Sequence, residues 1–451
     1  MTRSAVGIRP LAPPAPRVFG DVYVGAVCLS LAGYAILGKT FASIGVPPLY
    51  IGEILLAAGL VALGRSGCGL AAMATPPSRL LLVLIAWVVA RTLPYLGLWG
   101  ADALRDSVIV TYGAFCFIVV ALVLEEPARL ERVLASYHAF ARVYGFIGGG
   151  CAALALSKVM IPGTSLQVVD LSPGAIATHL AGAAAFAVLG LGRFSRLWMA
   201  ALLVGMVAVT SSRGAMLACV FAILAATVLG GRVRQVAPVI ALGVVALLVV
   251  SLIGVKVQFT PDSRVIGPDQ IIEGFKSILG VSDASNFEAT KEFRTRWWAT
   301  IQDYTFAGPY FWSGKGFGVN IAMEDGYQLW AISEGLRSPH NASMTVLARA
   351  GVPGLVLWVT LFAAWFAMLV HSMLLARRRK EARWAKILVW IACYGAAILI
   401  EASFNVTLEG PMVGIWFWCL FGLGIAASMM FRSGLFPATV LDGSFGLPER
   451  S

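Results

Sequence analysis

From near its start almost to its end, the chain is a succession of apolar runs of about 15 to 25 residues, each closed by a short polar or basic turn. A lipid-embedded segment must satisfy every backbone N–H and C=O internally, and a helix needs roughly 20 apolar residues to cross roughly 30 Å of hydrocarbon. Runs of this length therefore dictate helices, whereas barrel strands would show short alternating segments. Of the 451 residues, 59% are hydrophobic and 13% charged, which excludes a water-exposed surface over most of the chain. The expected fold class is all-α, a polytopic transmembrane helical bundle.

Twelve spans are expected, at about 20–38, 47–64, 80–98, 107–124, 137–157, 175–192, 197–212, 214–230, 236–254, 350–376, 387–404 and 410–431. Under this count Arg65, Arg79, Arg129, Arg132, Arg193, Arg196, Arg232, Arg234 and the segment "RRRKEARWAK" at 377–386 share one face with both termini. The positive-inside rule makes that face cytoplasmic. It also accounts for the net charge of +11 through a basic juxtamembrane surface, so no nucleic-acid partner is implied. Met1 to Arg17 lacks the pattern of a cleaved signal, and the first helix is expected to stay as an anchor. The domain division reads 1–254 as a membrane bundle of nine spans, 255–340 as a hydrophilic outer loop domain, 341–431 as three further spans and 432–451 as a cytoplasmic tail. The seven cysteines show no CxxC and none lies in the outer loop, so no disulfide framework is indicated.

The chemistry is expected at the outer face. Arg213 sits in "TSSRGAM" at the turn between spans seven and eight, flanked by Ser211, Ser212 and Gly214, which offer hydroxyls and close backbone approach to an anion; the alternative is an arginine snorkelling from a helix end. In the outer loop, "SNFEATKEFRTRWWATIQDY" opens with Ser285 and Glu288 in capping-box spacing and carries aromatic residues at helical intervals. It reads as an amphipathic helix at the membrane interface, with tryptophans at headgroup level and Arg294 and Arg296 reaching phosphates. A second, weaker helix is expected over 269–279. The loop "GKGFG" around Lys315 is either a set of turns or a backbone cradle for phosphate. His340 stands where the chain re-enters the membrane, ahead of a short helix, either as a capping or headgroup-facing residue or as part of a site with the arginines.

Topology thus brings Arg213, Arg294 and His340 to one surface. Two permanent cations and an imidazole suit a membrane-bound anionic substrate such as a lipid diphosphate: arginine forks bind phosphate and offset charge on a departing diphosphate, and a histidine takes a proton from an attacking hydroxyl. No metal set is expected, since the nearest outer carboxylate pair is Glu324 and Asp325 and the four histidines, His138, His179, His340 and His371, are scattered. No cofactor is called for. Arg91, Arg142, Glu401 and Glu53 lie in or beside spans, where a charge is costly and marks either an internal pair or a cavity wall.

The combination of twelve spans, "SSRGAMLA" at an outer turn, Arg294 to Trp298 as Arg-x-x-x-Trp, "GKGFG" and "HNASMTVLARAGVPG" at re-entry resembles the O-antigen ligase and O-antigen polymerase superfamily of bacterial membrane glycosyltransferases, over residues 175–370 by motif and elsewhere by topology. The resemblance implies a metal-independent GT-C enzyme in the bacterial inner membrane, with the large loop and active site periplasmic, an undecaprenyl-diphosphate-linked glycan as donor and a lipid A-core or similar glycan as acceptor. It implies Arg213, Arg294 and His340 as catalytic groups, the arginines on the diphosphate and His340 as base or acceptor-positioning residue. The substrate-binding candidates are Arg213, Arg294, Arg296, Trp298, Ser212, Asn341 and Lys315. Three functions are compatible: a ligase capping lipopolysaccharide, a polymerase joining lipid-linked repeat units, and a flippase for the same lipid. Spans nearly free of charge disfavour the flippase, which needs a polar path through the bundle, and a single basic cluster leans towards the ligase.

The topology is open to a direct check. A reporter active only outside the cytoplasm is expected to give signal when fused near Asp325 and none near Lys380; the reverse pattern would overturn the orientation and the site with it.

Overall fold

The computed structural model describes residues 18–435 other than 165, 210–211, 235, 238–240, 242–284 and 329–335. The longer helices, in chain order, are α1 (Val18–Leu37), α2 (Ile51–Arg65), α3 (Pro76–Thr92), α4 (Ala101–Thr111), α5 (Ala114–Glu125), α6 (Ala128–Ser157), α7 (Pro173–Val188), α8 (Arg196–Ala208), α9 (Arg213–Leu229), α10 (Ser285–Gln302), α11 (Ala342–Arg378), α12 (Ala382–Ala402) and α13 (Pro411–Ser433). Apart from isolated bridges, β structure among the described residues is one antiparallel pair of two-residue strands, Gly45–Val46 with Leu49–Tyr50. Every expected span except 236–254 coincides with one of these helices or with the bent pair α4 and α5; most of 236–254, and the weaker helix at 269–279, lie outside the described residues. By length and composition five helices suffice to cross a membrane, six if α4 and α5, bent by 43°, form one span. The other six of the expected twelve rest on α7, α8 and α9, which are apolar but shorter, on α2 and α6, which are not among the spanning candidates, and on 236–254.

Helix starts follow sequence signals. Thr75, Ser172, Ser195 and Ser212 each cap a helix by accepting a backbone N–H, from Ser78, Ala175, Trp198 and Ala215 respectively, and proline occupies the first turn of α3, α7 and α13. Within the bundle α7 packs against α9, α9 against α12, α5 against α13, α6 against α8 and α3 against α11. The core is aromatic, with Trp198, Trp358, Trp365, Trp390 and Trp418 buried; four of their indole N–H groups donate to carbonyls of other helices, as Trp365 does to Phe421 O at 3.0 Å.

The short helix expected after His340 is the first arm of α11. At Gly351 the backbone turns to φ 70°, ψ −172°, two residues before Pro353, and the ladder is interrupted. The freed backbone groups are satisfied from elsewhere: Lys315 N donates to Ala348 O at 2.7 Å, Gly316 N to Arg349 O at 3.0 Å and Trp87 Nε1 to Ala350 O at 2.9 Å, while Val352 N donates to Phe311 O at 2.8 Å. The Gly-Lys-Gly-Phe-Gly loop is therefore a cap on a broken helix; as a phosphate cradle it is spent. Gly314 and Gly316 have φ of 59° and 86°, and a Cβ on Gly316 would lie 2.1 Å from the Tyr95 ring.

The loop segment is helical from Ser285, the first described residue there, to Gln302, while the expected capping box at Ser285 and Glu288 lies outside the described side chains, which exclude residues 285–290. Of its two tryptophans, Trp298 is half-buried and Trp297 turns inward, away from the interfacial position expected of it. Trp297 is fully buried with Ile301, Ile321, Ala322, Leu347 and Ala348 in a second small core between α10 and the first arm of α11, stacked on Tyr327 at 5.3 Å. The aromatic stripe packs on the protein because α11 offers it an apolar face, Leu347 and Ala348, above the break.

Gly316→Ala is expected to lower stability by roughly 1–3 kcal/mol or more, through the unfavourable φ and the clash with Tyr95. Thermal unfolding of the detergent-solubilised protein checks this; an unchanged midpoint would mean that the loop does not hold the break.

Candidate functional site

The first turns of α7, α9 and α11 and the last turn of α12 converge at one end of the bundle, where α10 docks. Glu401, fully buried near the end of α12, marks the junction: a Cβ on Gly174 would lie 1.6 Å from its Oε1, and one on Gly214 2.4 Å from its Oε2. The close approach anticipated at Gly214 for a substrate anion is thus made to an internal carboxylate. Asn405 donates to Glu401 Oε1, while Oε2 is buried without a hydrogen-bond partner.

Arg213 is the first residue of α9 and half-buried. Ser212 is its N-cap, the hydroxyl accepting from Ala215 N at 3.4 Å, so this candidate binding residue serves the helix end. Arg294 reaches in from α10, and its Nη1 donates to Phe404 O at 2.8 Å. Burial lowers the Arg294 pKa, as does the neighbouring Arg213 cation, with Glu401 opposing them. The two guanidiniums repel one another beside the Glu401 carboxylate, and guanidinium forks are suited to a phosphate anion.

His340 completes the group. It has φ 53° and lies between two fixed points: Pro339, whose carbonyl accepts from Trp298 Nε1 at 3.0 Å, and Asn341, whose Oδ1 caps α11 by accepting from Ser343 N and Met344 N at 3.0 and 3.1 Å. Trp298 and Asn341 therefore hold the histidine segment. Burial, with the Arg294 charge second, lowers the His340 imidazole to about 4, so it is neutral at physiological pH; its Nδ1 is buried and unpartnered. A neutral imidazole keeps the lone pair that accepts a proton, although burial and the Arg294 cation make it a weaker base than a free histidine.

Other candidates are placed elsewhere. Arg296 is exposed and paired with Glu292 one turn earlier. Lys315 is salt-bridged to the inaccessible carboxylate of Asp325 at 2.6 Å and lies 4.6 Å from the Tyr304 ring centre, while Asp325 also accepts from Trp297 Nε1 at 2.7 Å; this lysine is engaged inside the loop core and is not brought to the arginines. Arg91 holds the same loop by donating to Ser313 O at 2.9 Å, Glu53 caps α2 and accepts from Tyr112 OH at 2.7 Å, and Arg142 is exposed.

Sequence reasoning did not single out the ionic network beside the site. Asp106 on α4 pairs with Arg349 at 3.0 Å and Arg337 at 3.1 Å, and accepts from Gly318 N at 3.1 Å; Asp102 pairs with Arg337 at 3.3 Å. Arg349, fully buried on α11, also donates to Val319 O at 3.0 Å. One turn earlier on the same face of α11, Thr345 donates to Glu409 Oε1 at 2.9 Å, and burial raises the Glu409 pKa against the pull of Arg349. The signal was present as an arginine inside the apolar run "TVLARAGV" and a charged triplet in "ADALRDS". Among the described residues no group of three or more His, Cys, Asp or Glu is placed to hold a metal ion.

Residues 198–359 match the family model described as O-antigen ligase. That stretch carries Arg213, Arg294 and His340, and the match supports the O-antigen ligase and polymerase superfamily that the motifs resemble. With the apolar helices it indicates a multi-pass membrane protein of a glycosyltransferase-like kind. No curated protein matches the chain.

Lys315→Met is expected to destabilise the fold by roughly 3 kcal/mol, because it strands the buried Asp325 carboxylate, while leaving the KM for donor unchanged in the surviving protein. A raised KM at normal stability would return Lys315 to the binding site.

Proposed function

We propose that this protein, with its match to the O-antigen ligase family over residues 198–359, transfers a glycan from an undecaprenyl-diphosphate carrier to a hydroxyl of a lipid A-core or similar acceptor at the periplasmic face of the bacterial inner membrane. The observation that carries the reading is the grouping of Arg213 and Arg294 beside a neutral His340, each cation contributed by a different helix. Arg213 and Arg294 bind the donor's diphosphate. As the acceptor oxygen forms the new glycosidic bond, the bond from the sugar's anomeric carbon to the diphosphate oxygen breaks and its electron pair leaves with the diphosphate, whose charge the guanidiniums offset without a divalent metal. The acceptor proton passes to His340.

Donor binding tunes that base. Arg294 is one of the two influences that depress the His340 pKa, and a diphosphate on Arg294 cancels it, so His340 becomes more basic when the donor arrives. The ligase reading is favoured over repeat-unit polymerisation by a specific contrast: the neighbouring arginines Arg105, Arg337 and Arg349 are held on Asp102 and Asp106, whereas Arg213 and Arg294 face one another, so that among the described residues one arginine pair is set for one diphosphate.

Arg213→Ala and Arg294→Ala are expected to lose roughly 100-fold or more in turnover per folded molecule, about 3 kcal/mol of transition-state stabilisation, with lysine rescuing only in part because it lacks the bidentate fork. His340→Ala is expected to lose kcat with little change in donor affinity. The acid limb of kcat/KM, which reports the free enzyme, is expected near the His340 value of about 4, and that of kcat at higher pH. Full activity of Arg213→Lys, or coincident limbs near 6.5, the ordinary histidine value, would overturn the assignment. In a deletion strain, long lipid-linked chains beside uncapped lipopolysaccharide mark a ligase, and accumulated single repeat units a polymerase.

A further inference from the structure

At the end of the bundle opposite the arginine site, the C-terminal ends of α9 and α11 and the first turns of α12 flank an open crevice of about 260 Å³. Its lining divides by chemistry. Leu189, Val228, Leu229 and Val389 form an apolar wall, and Arg377 and Lys386 supply two cations; among the described residues no carboxylate lines it. The Arg377 guanidinium is anchored across the mouth by donating to Leu229 O, at the last residue of α9. Lys386 is half-buried on α12. Arg232 lies close by, its Nη2 3.1 Å from where a Cβ on Gly190 would stand, next to the lining residue Leu189. The adjoining segment 377–386 holds six cations and one carboxylate, Glu381.

The positive-inside distribution accounts for cations on this face but not for a cavity between three helix ends with one apolar wall. That pairing fits a molecule with a single phosphate at the level of the helix termini and hydrocarbon running alongside the helices. We propose that the crevice binds an anionic phospholipid of the phosphatidylglycerol class, its phosphate between Arg377 and Lys386 and its acyl chains against Val228, Leu229 and Val389. A zwitterionic lipid carries a cation that this basic surface repels, and free phosphate leaves the apolar wall uncovered.

The test uses the full chain in neutral detergent, titrated with phosphatidylglycerol, phosphatidylcholine or inorganic phosphate, with the thermal unfolding midpoint as readout. Phosphatidylglycerol is expected to raise the midpoint by about 3 °C or more while the other two do not. The double variant Arg377→Gln, Lys386→Gln is expected to abolish that shift and to keep its transferase turnover, since both residues lie at the far end from the arginine site. Equal shifts from the two lipids, or an undiminished shift in the double variant, would overturn the proposal. So would inorganic phosphate reproducing the full effect, which would make this a simple anion site. Should the double variant fail to accumulate, Val228→Trp fills the apolar wall instead; it is expected to lose the shift, and retention of the shift would count against the lipid.

Discussion

The break at Gly351 is the constraint from which the part of the structure around α10 follows. Carbonyls released from a helix ladder at membrane depth are costly to leave unbonded, and here they are taken up by Lys315 N, Gly316 N and Trp87 Nε1. To make those bonds the loop at 311–316 must lie flat on α11, which requires glycines with positive φ and brings the Lys315–Asp325 pair beneath α10. The first arm of α11 is thereby clamped between the second small core on one side and the bundle on the other. His340 and Asn341, at its N-terminal end, inherit that fixity.

Charge is organised around the same arm. Asp106 gathers Arg349, Arg337 and Gly318 N into one network, so that α4, α11, the glycine loop and the segment entering His340 are tied at a single carboxylate. Buried ion pairs contribute little net stability against well-packed apolar alternatives, but removing one partner is expensive. Such a network therefore fixes geometry more than it adds stability. Nearby, Arg213 and Arg294 repel one another beside Glu401, and the contrast between arginines drawn onto paired carboxylates and arginines set against each other separates scaffold from site.

The bundle was legible because the length of an apolar run is a direct statement about bilayer thickness, and eleven of the expected spans coincide with helices or with a bent helix pair. The convergence of Arg213, Arg294 and His340 was legible for a similar reason: alternation of sides along the chain assigns each to one face without any contact being known. What sequence could not give was partnership. Lys315 and Arg296 carry the same charge as the site arginines, but one faces Asp325 in a closed core and the other Glu292 along its own helix. Trp297 belongs to a periodic stripe that reads equally well as membrane-facing or protein-facing, and only the apolar face presented by Leu347 and Ala348 decides between them. Glu401 was visible as a charge out of place, but its meaning depends on two glycines more than 180 residues upstream in the chain.

Those glycines give Glu401 the character of a gauge. Gly174 and Gly214 each approach the carboxylate more closely than any side chain would permit, from opposite oxygens, so the separation of the first turns of α7 and α9 is set by the span of one carboxyl group. An aspartate, one methylene shorter, would keep the charge and lose the reach; a glutamine would keep the reach and place an N–H₂ where one of the helix starts stands. By this geometry the position requires both the length and the two-fold symmetry of a glutamate carboxylate, so a charge that its apolar surroundings already mark as costly serves as a spacer between helices.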